Sequence, residues 1–437
     1  MIRWSRPMGR FLPALLLAAG VHAAAADKPL TLDEALKAAD APHPDVEVAE
    51  ADRALALADL DLAGARRDVA VTLEARLQRV RPSLRPEGTD YISDNSLRLT
   101  ARKNLFDFGR SSNAEGAAQA VVEARDLNLL EARDQRRLDI MARYFDVLLA
   151  DLRYTADNEY LAVNYVAFDQ ARDRFEQKLV SQVDVAELEA RSQEWLVRRS
   201  ESERRQRLTR ALLADAMNQP GKLASDLEDP ALPGNDRPLP DYDALLAAML
   251  QDNPRLQAQQ KLLAASQQRI EAIRADKNPR LDAELDAADY SQRPLSGRDD
   301  VRAGVVLTWP LYQGRTVSAA MAREQAQFQK LQAEAEKLKR SLTEALLSAW
   351  LDADQLHRVA RRAAKIESDY RDLALERARG QYEMEFRTNL GDSMARTMEA
   401  KLNQRSVEYR LALALAKIEA LVGRPLAELS AKKGEAK

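Results

Sequence analysis

Phe106-Asp107-Phe108-Gly109-Arg110 and Leu311-Tyr312-Gln313-Gly314-Arg315 are two versions of one stretch, and their recurrence decides how the chain is read. In each, an alternating apolar segment ends, a glycine follows, and a long run with few helix breakers begins. Glycine suits a corner where an extended chain swings into a helix, because it takes positive φ and close backbone approach without steric cost. The likeness extends outward on both sides. His43-Pro44-Asp45-Val46 returns as Asn253-Pro254-Arg255-Leu256, and Val71–Glu74 as Leu281–Glu284. Tyr144-Phe145-Asp146 returns as Trp350-Leu351-Asp352, and Phe175-Glu176 as Tyr382-Glu383. A tandem duplication follows. Repeat 1 covers 28–225, a Pro-rich linker 226–240, repeat 2 covers 241–430, and 431–437 is a C-terminal tail.

Each repeat reads as helix, strand pair, very long helix, turn, helix. No Pro occurs between Pro86 and Pro220 and no Gly between Gly116 and Gly221, far beyond an ordinary helix length. Within that run Leu127, Leu130, Leu138, Met141, Phe145, Leu148, Leu152 and Val163 recur at steps of three, four or their sums, near the coiled-coil period. The spacing predicts long helices over 111–177 and 316–380, each about 100 Å at 1.5 Å per residue. Half-length helices are expected over 33–66, 183–218, 243–277 and 389–421. Two half helices end to end match one long helix, so the linker is expected at mid-length of a rod, with strand pairs at one end and tip turns at the other.

The chain has 437 residues with 66 basic and 69 acidic side chains, a formal net charge of −3, which gives no electrostatic footprint for nucleic acid. Only 15 Gly and 17 Pro against 31% charged residues is a helix-rich composition. There is no Cys, which excludes disulfides, thiol nucleophiles, Cys-ligated metals and a lipid-bearing N-terminal Cys. Beyond the leader only His43 and His357 remain, too few for a His-built metal site. No Gly-rich loop opens a helix, so neither an enzyme nor a cofactor is expected.

Arg3, Arg6 and Arg10 precede the apolar run Phe11–Val21, and small residues follow at Ala23–Ala26. This is the layout of a secretory signal peptide, assigned to 1–26. No later stretch reaches the roughly 18 apolar residues of a membrane helix. A mature chain that enters a membrane must therefore do so as strands.

The strand pairs, expected at 70–81 with 95–106 and at 281–290 with 300–310, alternate strictly. Val71, Leu73, Ala75 and Leu77 are interleaved with Thr72, Glu74, Arg76 and Gln78. Leu97, Leu99 and Ala101 alternate with Arg98, Thr100 and Arg102; Leu281, Ala283 and Leu285 alternate with Asp282, Glu284 and Asp286; Val301 to Trp309 forms one further apolar face. Two readings fit: hairpins on a soluble helical core, or a transmembrane barrel with apolar residues toward lipid and polar ones toward a lumen. Trp309 fits a membrane interface or a buried core equally. Four strands cannot close, so the second reading requires several chains to share one barrel.

The duplicated plan, the opening Leu30-Thr31-Leu32-Asp33-Glu34-Ala35-Leu36 and the two glycine corners resemble the TolC family of outer-membrane efflux proteins. The resemblance implies a mainly α fold with a small β part. Long coiled-coil helices would form a trimeric α-barrel in the periplasm, and four strands per chain would contribute to a shared transmembrane β-barrel in outer-membrane lipid. It further implies the exit duct of a tripartite efflux or type I secretion system, fed by an inner-membrane pump of RND or ABC type through a periplasmic adaptor (membrane fusion) protein. The rival is an exported periplasmic coiled-coil scaffold or adhesin, which has no use for matched strand pairs.

By the same resemblance the entrance turns are Arg174–Val185 and Gln381–Asp392. Asp184, Tyr382 and Arg387 match acidic, tyrosine and arginine positions of the family's tip gate, and Asp392 lies one residue from its other acidic position. Leu179, Val180 and Ser181, with Phe386 and Thr388, would face the adaptor. Lys178 and Glu385 stand where many members carry Gly, which puts the usual docking geometry in question. At the corners Gly109, Arg110, Gly314 and Arg315 are expected to orient strand against helix, Arg110 and Arg315 acting on backbone carbonyls or on a neighbouring chain's acids rather than on cargo. In the barrel lumen Arg76, Arg98 and Arg102, with Glu74 on the same strands, would face Asp282, Glu284 and Asp286, either as internal pairs or as a selectivity filter.

Overall fold

The structure, a computed structural model, describes residues 29–81, 91–220, 226–291, 299–384 and 389–431. The expected signal peptide lies outside these residues, as do Glu385, Phe386, Arg387 and Thr388. Repeat 1 runs through α1 (Leu32–Lys37), α2 (Pro44–Ala65), β1 (Val69–Arg76), β2 (Arg79–Val80), β3 (Ile92–Ser93), β4 (Ser96–Phe106), α3 (Arg110–Glu176) and α4 (Gln182–Ala216). Repeat 2 runs through α5 (Tyr242–Asp252), α6 (Pro254–Arg274), β5 (Arg280–Tyr290), β6 (Val301–Thr308), α7 (Thr316–Gln355), α8 (Arg361–Glu383), α9 (Leu390–Val422) and α10 (Leu426–Ala431).

The helix α3 has 67 residues without a break, about 100 Å. It is the spine: α2 and α6 lie along it on the strand side, α4 and α9 on the tip side. Its counterpart in repeat 2 differs from the expected uniform helix over 316–380, because a π-helical turn at Leu356–Ala360 separates α7 from α8. Among the described residues no helix is long and apolar enough to cross a membrane.

Two of the expected half helices are each broken in two. The helix expected over 33–66 stops after α1 and restarts at Pro44, with the His43 imidazole Nδ1 accepting from the Asp45 N–H at 3.2 Å. The one expected over 243–277 restarts at Pro254, where the Asn253 Oδ1 accepts from Arg255 N at 3.0 Å and Leu256 N at 3.1 Å. Proline is favoured at the first helical position because it has no N–H to leave unpaired, and the residue before it is pushed out of the helical region. The dipeptides His43-Pro44 and Asn253-Pro254 are therefore paired caps, not interior positions. The strand expected over 70–81 is also interrupted, at Leu77 and Gln78, between β1 and β2.

The core is concentrated where half helices meet. Ile140, Tyr144, Phe145 and Leu213 from repeat 1 pack with Tyr409 and Ala412 of α9, and Phe145 stacks on Tyr409 with ring centroids 4.5 Å apart. A second cluster joins Leu245, Met249, Leu346, Leu356, Leu411 and Ile418. The linker is strapped onto this belt. The Tyr144 hydroxyl reaches the carbonyls of Leu30 at 2.8 Å and Glu228 at 2.6 Å, and burial pushes its pKa up to about 12. The Tyr409 hydroxyl donates to Asp229 at 2.8 Å, Trp350 Nε1 donates to the Pro240 carbonyl at 3.0 Å, and Arg361 bridges Asp236 and Glu408.

Beyond one end of the bundle lies a four-stranded antiparallel sheet in the order β1-β4-β5-β6. Both repeats thus contribute to one sheet, through the β4–β5 pairing. β1 and β6 are its edges and are exposed along their whole length.

Candidate functional site

Residues opposite each other in an antiparallel ladder share a face, so the register sorts the sheet. One face carries Val71 against Ala101 and Leu285, Leu73 against Leu99 and Ala287, and Ala283 against Val305. Val71, Leu73, Leu99, Val301, Val305 and Leu307 are all exposed on it. Lys103 and Asp289 stand near its two ends in the same register. The strand β4 has 11 residues, and its steps of about 3.4 Å from the first Cα to the last span about 26 Å at a tilt of about 40°, the height of an apolar barrel band. At the helix-side rim Phe106, Phe108, Trp309 and Tyr312 are all exposed, Tyr312 at 89%. Such a cluster suits a membrane interface, where an aromatic ring can be half wet. Sequence reasoning weighed Trp309 alone for an interface; Phe106 was placed at the end of the expected strand 95–106, and Phe108 and Tyr312 lie in the corner motifs.

The opposite face is polar. Glu74 is opposite Arg98, Thr100 opposite Asp286, Arg102 opposite Glu284, Asn104 opposite Asp282, and Asp286 opposite Arg302. The Arg102 guanidinium donates to Glu284, Thr100 Oγ1 donates to Asp286 at 2.7 Å, and Asn104 Nδ2 donates to Asp282 at 3.1 Å. All seven charged residues assigned to a lumen lie on this one face. One detail is corrected: Arg76 does not meet an acid of repeat 2 as expected. Arg76 pairs with Glu74 at 2.7 Å, and Arg98 sits opposite Glu74 while donating to the Tyr290 hydroxyl at 3.3 Å. Of these three arginines Arg102 forms the ion pair with an acid of repeat 2.

The corners differ from each other. Phe108 and Gly109 take φ of 53° and 89°, and the Asp107 carboxylate accepts from the Ser111 N–H at 3.0 Å, capping α3. Gly314 has φ 62°, and the Arg315 carbonyl accepts from the Ser318 hydroxyl at 2.9 Å at the start of α7. Arg110 acts within the chain, on a carboxylate of repeat 2. It pairs at 2.8 Å with Asp276, whose own carbonyl accepts from Gln313 of the second corner at 3.2 Å. Asp276 therefore ties the two repeats together under the sheet.

At the far end, the turn between α3 and α4 closes with the Leu179 N–H donating to the Arg174 carbonyl at 2.9 Å and Lys178 at φ 61°. This is the left-handed end of a helix, where glycine is usual. Ser181 then caps α4: its hydroxyl accepts from Asp184 N at 3.2 Å, while the Asp184 carboxylate accepts from Ser181 N at 2.9 Å and its hydroxyl at 2.8 Å. These bonds hold the Asp184 carboxyl below the usual carboxylate range. Leu179 is exposed, as is Tyr382 on the last turn of α8, and Val180 is half-buried. Asp392, on the first turn of α9, pairs with Arg396 at 2.8 Å.

Farther from the tip the helices are tied by residues that the sequence reading passed over. Tyr160 of α3 stacks on Trp195 of α4 at 4.4 Å and donates to Glu399 of α9 at 2.7 Å. Gly391 approaches Val163 so closely that an added Cβ would lie 2.8 Å from its Cγ2. Asp157, 6% exposed, lies beside this seam, and burial pushes its carboxyl up. A helical pattern alone does not say which polar residues meet across helices.

No protein-family model and no curated protein matches the sequence. Among solved structures, the CmeC outer-membrane channel of Campylobacter jejuni is 13% identical, with 99% of this chain and 97% of that chain covered and a TM-score of 0.72. The outer-membrane protein VceC of Vibrio cholerae is 17% identical over 90% of this chain and 96% of that one, with a TM-score of 0.71. The open state of the Neisseria gonorrhoeae MtrE outer-membrane channel is 18% identical, covers 90% and 89%, and has a TM-score of 0.70. The chain has the fold of these channels across nearly its whole described length, as the family resemblance implied.

Proposed function

We propose that this chain is the outer-membrane exit duct of a tripartite efflux or type I secretion system, a passive homotrimeric channel whose barrel is shared between copies. The observation that carries the reading is a sheet with an exposed apolar face, a polar face and two open edges. Open edges are not viable in lipid, so the sheet must close with others. With four strands of alternating direction per chain, β6 of one copy meets β1 of the next antiparallel, and closure needs no other element. Three copies give a twelve-stranded barrel, which at a spacing of about 4.8 Å and a tilt of about 40° has a backbone radius of about 12 Å. Such a barrel holds a water-filled pore.

The helices then extend about 100 Å into the periplasm, where the α3–α4 and α8–α9 turns face an adaptor protein and, beyond it, an inner-membrane pump. Asp184, Tyr382, Arg387 and Asp392 are proposed as gate residues at that tip, and Leu179, Val180, Ser181, Phe386 and Thr388 as the adaptor-facing set. The fold shared with outer-membrane channels supports the duct. The test is extraction of outer-membrane fractions in mild detergent, with mass and heat-modifiability measured. A trimer that dissociates only on boiling is expected; a soluble periplasmic monomer would overturn the reading. Within it, Asp184→Ala should raise single-channel conductance if that carboxylate helps close the mouth, and an unchanged conductance removes it from the gate.

A further inference from the structure

Reading the polar face of the sheet as the wall of the pore, we propose that this wall is nearly charge-balanced and selects only weakly among anionic, cationic and neutral solutes, and that the Arg102–Glu284 and Asp286–Arg302 rungs hold the balance. The inference rests on the duct reading and goes beyond it by naming the class of cargo the barrel admits.

The argument is one of placement. Every carboxylate on this face has a guanidinium opposite or beside it: Glu74 has Arg98 and Arg76, Glu284 has Arg102, Asp286 has Arg302 opposite it in register, with the Arg302 guanidinium itself paired to Asp299 at 3.0 Å, and Asp282 has Arg280 at 3.3 Å. The Glu74–Arg98, Arg102–Glu284 and Asp286–Arg302 rungs carry both signs, while Asp282 shares its rung with Asn104 and Val306, and Arg76 shares its rung with Ser96 and Tyr290. A pore selects by charge when several copies bring like charges to one level, forming a ring. Here three rungs of each copy bring opposite charges side by side, closer than the Debye length of about 8 Å at physiological ionic strength, so at those levels a solute near the axis meets dipoles rather than a ring of one sign. The compensation also crosses the duplication, since Arg102 comes from repeat 1 and Glu284 from repeat 2. Neither repeat is balanced on this face by itself: repeat 1 brings three guanidiniums and one carboxylate, repeat 2 three carboxylates and two guanidiniums, and the β4–β5 register leaves one guanidinium in excess per copy.

The test uses the full-length protein in planar bilayers under a potassium chloride gradient, with reversal potential as the readout. Any charge at the periplasmic tip adds the same offset to every variant, so the differences carry the result. Arg102→Gln is expected to displace the reversal potential toward the potassium equilibrium potential, and Glu284→Gln toward that of chloride. The double variant Arg102→Gln/Glu284→Gln is expected to return to the parent value, which a merely structural role would not produce. Persistence of the heat-modifiable trimer in each variant separates a wall effect from misfolding; if a single variant fails to assemble, Arg302→Gln and Asp286→Asn give the same opposed pair. Conductance that persists while both single variants leave the potential unmoved, or move it in one direction, overturns the inference and leaves the duct standing. Parent protein recovered as a soluble monomer, with no trimer in the membrane, overturns the duct reading itself.

Discussion

At the scale of single residues, the tip turn gives opposed predictions. Lys178 is held at φ 61°, a conformation that costs an ordinary L-residue about 1–2 kcal/mol. Lys178→Gly should therefore stabilise the turn by about 1 kcal/mol, seen as slower hydrogen exchange around 175–182. Ser181→Ala should speed that exchange by loss of the cap, at a cost of about 1 kcal/mol. Asp184 and Asp157 shift in opposite senses. The depressed carboxyl of Asp184 adds stability that is present above its ordinary value of 3.8 and is lost as pH falls through the folded-state value. Burial raises the carboxyl of Asp157, with Glu399 acting in the same sense and Ser202, Arg153 and Arg198 opposing it. The folded state then holds that proton more tightly than the unfolded chain. Its contribution is full below 3.8 and fades as pH rises through the raised value. Asp157→Asn should flatten the pH dependence of thermal unfolding on the acid side of neutrality.

At the scale of elements, the lipid-facing strands and the tip seam give separate tests. Leu99 lies mid-strand on the apolar face, opposite Leu73 and Ala287. Leu99→Arg should impair assembly by about 2–4 kcal/mol if that face meets the bilayer midplane, measured as the fraction of trimer recovered from membranes. The α3–α9 seam depends on Gly391 against Val163 and on the Tyr160–Glu399 hydrogen bond. Gly391→Ala should push the two helices apart and loosen the tip, and Tyr160→Phe should loosen it less, by about 1–2 kcal/mol for a charge-assisted bond. Hydrogen exchange along 156–166 and 391–400 distinguishes them, because only the alanine changes the spacing of the backbones.

At the scale of the whole molecule, the absence of Cys makes strand closure directly testable. Three inter-strand steps separate β1 from β6, about 14 Å at 4.8 Å each, beyond disulfide reach. In a chain carrying Val71→Cys and Val305→Cys, any disulfide therefore joins different copies. A ladder of crosslinked oligomers on a denaturing gel is expected, and a chain that stays monomeric after oxidation counts against edge-to-edge closure.

The duplication, the long helices and the alternating strands were legible because each is a local pattern: a missing breaker, a period of 3.5 or of two, a glycine at a corner. The two-faced character of each strand followed from the side-chain period alone. The broken half helices were legible in principle, since a capping residue before proline stands at both 43–44 and 253–254, but helical periodicity on either side concealed the break. Pairing across the duplication was not legible. That Arg102 meets Glu284 while Arg98 reaches Tyr290, that Asp276 ties both corners, and that Tyr160 joins three helices depend on register and helix packing between segments as far as 239 residues apart. A chain's local periodicity determines which face each residue occupies; only the assembled tertiary structure decides what stands opposite it, because that is fixed by the sum of all contacts and not by any neighbour in sequence.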